Sequence, residues 1–142
     1  GQIDDIAGLI AMSAYSSFED VMVETMRQYH IPKFICGIEK PLIRLSLRAV
    51  FGDKVDELKP IKQVENIGDR PALFIASAND AEVLPENMER LLEAAPSHCE
   101  GWLRDSDLVG HFIVMNHDIE NVDQDSEYCE KILSFLEEKI VH

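Results

Sequence analysis

Basic residues are scarce: 13 lysines and arginines face 27 aspartates and glutamates, a formal net charge of −14 over 142 residues. That balance repels a nucleic-acid backbone and an anionic membrane surface, so no nucleic acid and no membrane is expected as partner. Cysteine is sparse as well. Cys36, Cys99 and Cys129 stand far apart, form no CxxC pair and are odd in number, which points to reduced, buried thiols in a cytoplasmic protein. No apolar run approaches the roughly 20 residues that a spanning helix needs. No signal-peptide pattern occurs, although a chain that opens Gly1-Gln2 is expected to have its true N-terminus elsewhere. Low-complexity segments and internal repeats are missing too. His98, His111, His117 and Asp118 lack the HxxxH or HExxH spacing of a zinc site, so no metal is expected.

What is present is ordinary for one globular domain over residues 1–142, with 46% apolar and 28% charged residues. Residues 6–12 form a short, almost wholly apolar run, the pattern of a parallel strand buried on both faces. Ser16 or Ser17 offers an N-cap to a helix whose apolar positions are Phe18, Val21, Met22, Met26 and Tyr29, with Pro32 as its stop. Leu42, Ile43, Leu45, Leu47, Val50 and Phe51 describe a helix apolar nearly all round, either deeply buried or packed on something outside this chain. A short helix follows around residues 60–64. Ala72-Leu73-Phe74-Ile75-Ala76-Ser77 is the second strand, and Pro85 opens a helix striped by Met88, Leu91, Leu92 and Ala95. A weaker strand covers residues 100–105 around Trp102, read as core. The last helix, residues 125–140, carries Tyr128, Cys129, Ile132, Leu133, Leu136 and Ile140 on one face.

Strand alternating with helix is the α/β pattern, and crossover connections make the three strands parallel. Three strands are few for such a sheet. An edge as apolar as residues 6–12 would aggregate if bare, so a partner or further structure is expected to cover it.

The chemistry concentrates at Asp80 and His111. Asp80 follows the second strand, and His111 follows the third after Gly110, whose missing side chain lets the loop turn sharply. Both then sit at the edge where parallel sheets place functional groups. A carboxylate beside an imidazole fixes its tautomer and supports the imidazolium. Arg44 and Arg48, one turn apart, are read as pairing with the abundant acids rather than binding an anionic substrate group.

The segment Pro71-Ala72-Leu73-Phe74-Ile75-Ala76-Ser77-Ala78-Asn79-Asp80, continuing to Pro85, resembles the stretch of α/β-hydrolases in which a strand delivers the triad acid. Gly110-His111-Phe112 is similar to that family's histidine loop, and Ile132-Leu133-Ser134-Phe135-Leu136 to its C-terminal helix. Residues 8–17 resemble the strand just after the nucleophile-bearing unit. The resemblance implies a partial α/β/α sandwich with a short parallel sheet and a helical cap over residues 33–66. It also implies a serine hydrolase of carboxylic esters, or in second place of amides or peptides, with Asp80 and His111 as two thirds of its triad, water as co-substrate and no cofactor.

One part of the family pattern is missing: no G-x-S-x-G pentapeptide occurs, and the oxyanion-hole donors would lie with it. The chain therefore reads as the C-terminal portion of such an enzyme, inactive alone, its N-terminal half or another chain meeting the edge at residues 6–12. Ser13 also follows a strand and precedes a helix. The bulky Tyr15, where an elbow wants a small residue, makes it a loop or capping residue instead. The rival expectation is a non-catalytic assembly module, possibly a homo-oligomer, pairing through the same edge.

Overall fold

The computed structural model describes residues 6–29, 32–57, 59–114 and 121–141, giving the backbone alone for 33–37. His117 and Asp118 lie outside the described residues, as does the side chain of Cys36. In chain order the elements are β1 (Leu9–Met12), α1 (Phe18–Gln28), α2 (Lys33–Phe51), α3 (Pro60–Gln63), β2 (Ala72–Ser77), α4 (Glu86–Ala94), β3 (Glu100–Arg104) and α5 (Ser126–Lys139). The protein is mixed α/β around one parallel sheet ordered β1-β2-β3, with Leu9 opposite Ala72 and Leu73 opposite Glu100 in register.

All six residues of the central strand β2 are buried. Because side chains alternate along a strand, it feeds two cores at once. Ala72, Phe74 and Ala76 pack with Val64, Ile67, Met88 and Leu91 on one face, whereas Leu73 and Ile75 pack with Ile113 and Phe135 on the other. Each fully buried leucine or isoleucine there contributes about 1.5–3 kcal/mol. The β1–β2 ladder opens with the Leu9 amide donating to the Pro71 carbonyl oxygen, and the preceding Gly8 lies so close that a Cβ there would stand 2.9 Å from that oxygen.

Several expectations change. The regular part of β1 is Leu9–Met12, shorter than 6–12, and as the sheet edge it leaves Leu9 39% and Met12 49% exposed rather than buried on both faces. α1 is capped by Ser17, yet Phe18 and Tyr29 face solvent while Glu19, Val23 and Glu24 are its buried residues. Hydrogen bonding makes a buried acid tolerable there: Asn87 Nδ2 donates to Glu24 Oε2 at 2.7 Å, and Arg90 Nη1 to Oε1 at 2.8 Å. In α5, Leu133 is exposed and Phe135 fills the core instead. Cys99 and Cys129 are free and only half-buried. Trp102 packs partly buried against the Leu73–Ile75 core, and His98 is exposed with its ring nitrogen on the Arg70 carbonyl. α2 runs through Pro41 and shows solvent Ile38, Leu42, Leu45 and Val50, an apolar helix not buried by the described residues. Among those residues no helix is long and apolar enough to cross a membrane.

Ion pairs fasten α5 to β3. Lys131 and Lys139 approach Glu100 at 3.3 and 3.2 Å. Burial pushes the Glu100 carboxyl up, but the two ammonium groups outweigh it and hold it below the usual range. A depressed folded value means stability that is present above the unfolded value, near 4.5, and lost as pH falls through the folded one. Lys139→Met should therefore lower the melting temperature at pH 7 and flatten its decline between about pH 5 and 3, as read by circular dichroism melts.

Candidate active site

Parallel pairing brings three strand ends to one edge of the sheet, and the loops leaving them carry the residues of interest. Beyond β2 the pairing persists for one more bond, Ala78 N to the Arg104 carbonyl at 2.9 Å, before the chain turns. Asp80 then lies in the loop ahead of α4, 2% exposed. Its Oδ1 accepts the Glu82 and Val83 amides, each at 2.8 Å, so the carboxylate caps its own loop. Its Oδ2 stands 3.1 Å from His111 Nδ1. Capping and pairing thus use different oxygens of one group.

An ionised carboxylate only accepts hydrogen bonds, so this contact places the neutral ring's proton on Nδ1 and a lone pair on Nε2. The ring is half-buried, edge-on to Phe112 with centroids 5.7 Å apart. Nε2 faces outward, 3.8 Å from the exposed carboxylate of Glu82. A cavity of about 360 Å³ opens on one side of His111, walled by Met12, Ser13, Phe112, Ile113, Val114, Val122 and Tyr128. A second, of about 700 Å³, lies towards α1, between Tyr15, Thr25, Gln28, Tyr29, Glu82 and Val83. Gln28 donates to the Ala81 carbonyl and ties α1 across that cleft.

His111 belongs to a segment without helix or strand, and side chains from all three strand ends hold its carbonyls. Asn79 Nδ2 donates to Ser106 O at 3.0 Å, Ser77 Oγ to Val109 O at 2.8 Å, Ser13 Oγ to His111 O at 2.7 Å, and Arg104 Nη1 to Ile113 O at 2.6 Å. Positive φ angles among the described residues occur at Ser13, Gly52 and Gly68, so the histidine loop does not depend on left-handed backbone at Gly110. The side-chain clamps shape it instead.

The strongest clamp is ionic. Arg104 meets Asp125 through two bonds of 2.6 and 2.9 Å, with both side chains at most 2% exposed, and reaches Glu127 at 2.9 Å. Its guanidinium carbon also lies 5.0 Å from the centre of the Trp102 ring. Burial pushes the guanidinium down, but Asp125 and Glu127 outweigh it and hold it above its usual value. Asp125 doubles as the N-cap of α5, accepting from Tyr128 N at 3.1 Å.

Asp80 and His111 therefore meet as the sequence implies. Ser13 arrives at the same edge with its hydroxyl turned to a main-chain oxygen. Arg44 lies 3.7 Å from Asp56 and away from this edge's contacts. Among the described residues no group of three potential ligands could hold a metal ion. Arg104, Asp125 and Ser77 join the site without having been expected there. Arg104 is the single cation of its strand, and Asp125 directly precedes a helical stripe, a recognisable capping position. No family model matches this chain, and no curated protein matches it either.

Removing one member of a buried ion pair strands the other. Asp125→Ala should cost about 3–5 kcal/mol in urea unfolding, whereas the double change Arg104→Met with Asp125→Leu should recover most of that loss. A loss below about 1 kcal/mol in Asp125→Ala, or no recovery in the double variant, would contradict the clamp.

Proposed function

We propose that this chain supplies the acid and the general base of a serine hydrolase of the α/β-hydrolase kind, acting on a carboxylic ester and in second place on an amide. The observation that carries the reading is the contact between Asp80 Oδ2 and His111 Nδ1, 3.1 Å long, at a histidine that lines two cavities. In this reading Nε2 takes the proton of a serine hydroxyl as its oxygen bonds to the substrate carbonyl carbon. Asp80 stabilises the resulting imidazolium, which returns the proton to the departing alkoxide. Water then adds to the acyl-enzyme, its proton passing to the same nitrogen and from there to the serine oxygen as the acyl bond breaks and the acid leaves. Water is the only co-substrate, and no cofactor enters.

The serine comes from outside the chain. A strand added along the edge of β1 that no described residue pairs, where Leu9 and Met12 are exposed, would end beside Met12 and Ser13, next to the smaller cavity. Its turn would bring the hydroxyl to Nε2 and the oxyanion-hole amides with it. The larger cleft towards α1 takes the acyl or leaving group, and α2 belongs to a cap over residues 33–66. The exposed edge also favours a second reading, a non-catalytic module that pairs through β1 with another copy.

A fluorophosphonate probe applied to the native full-length polypeptide that contains this chain separates the two. Labelling of a serine outside residues 1–142, slowed about 10³-fold or more by His111→Ala, is the expected result. Labelling at the unmodified rate in that variant, or no labelling with stable self-pairing through β1, overturns the hydrolase reading.

A further inference from the structure

Ser13 is the one described residue other than glycine with a left-handed backbone, at φ 45°. Serine gains nothing intrinsic from that conformation, so the surrounding structure imposes it, and such residues concentrate where a side chain must be aimed. Its amide continues the sheet, donating to the Ile75 carbonyl at 2.9 Å. Its hydroxyl donates to the His111 carbonyl at 2.7 Å. β1 and β3 are not neighbours in the sheet, so this bond crosses over the end of β2 to reach the loop that follows β3.

The other clamps act around the histidine rather than on it: Ser77 holds Val109, two residues before, and Arg104 holds Ile113, two residues after. Ser13 acts on His111's own peptide. A peptide free to rotate there would swing the ring off Asp80, because Asp80 is itself fixed by the Glu82 and Val83 amides and cannot follow.

We propose that Ser13 is the positioning residue of His111, its hydroxyl clamping the His111 carbonyl from a strained turn so that Nδ1 stays on Asp80. The role rests on geometry alone and holds whichever nucleophile the imidazole serves. It also accounts for a serine at a strand-to-helix turn where glycine would relax the backbone.

Two variants separate hydroxyl from strain. Ser13→Ala removes the donor and keeps the strained backbone, while Ser13→Gly removes the donor and suits φ 45° without cost. The readout is exchange of the His111 Nδ1 proton with water, followed by nitrogen-resolved NMR on the native full-length protein. Both variants should speed that exchange about tenfold or more, the equivalent of weakening the Asp80 contact by one power of ten. Ser77→Ala, which frees Val109 in the same loop and the Asn79 amide, should speed it less than Ser13→Ala does. Should Ser13→Ala not fold, Ser13→Gly decides alone. Unchanged exchange in the glycine variant, or an equal rise in Ser77→Ala, overturns the assignment.

Discussion

A guanidinium sealed inside a small protein has to find anions and acceptors for its protons, and Arg104 organises three parts of this molecule in doing so. Its two terminal nitrogens reach Asp125, Glu127 and the Ile113 carbonyl. β3, the start of α5 and the far side of the histidine loop thereby become one unit. Desolvation makes such a pair an uncertain source of net stability. Its contribution here is geometric: a loop with no backbone ladder of its own is pinned within hydrogen-bond precision to the sheet.

The acid–histidine contact depends on that constraint from one side and on Asp80's own loop from the other. Because the Asp80 carboxylate is nearly fully buried, water offers it little, and its lone pairs are met by two amides and an imidazole. Neither partner of the contact can drift alone. Rigidity of this kind is what a general base needs, since its proton acceptor must already point at the reacting group.

The elements legible in the sequence were those with one dominant signal. β2 is apolar at every position but its last and is bounded by Pro71 and Asn79, and its ends were readable to the residue. Asp80 and His111 were legible because parallel topology places successive loops together. Burial on the helices was not. Tyr29 and Phe18 match an amphipathic spacing, yet Glu24 lies inside because Asn87 and Arg90, more than sixty positions away, satisfy it. The Arg104–Asp125 pair escaped for the same reason: periodicity carries no record of a partner 21 residues distant. For β1 the apolar run marks a strand over Leu9–Met12, but a run of apolar residues does not say whether both faces are covered, and Leu9 and Met12 are exposed among the described residues.

The central claim is that Asp80 sets the imidazole of His111 with hydrogen on Nδ1 and a free lone pair on Nε2. The most direct measurement is the tautomer of His111, from long-range proton–nitrogen correlation spectra of the deprotonated ring. The Nδ1–H form is expected, reverting towards the ordinary Nε2–H form in Asp80→Ala. An Nε2–H ring in the unaltered protein would contradict that claim.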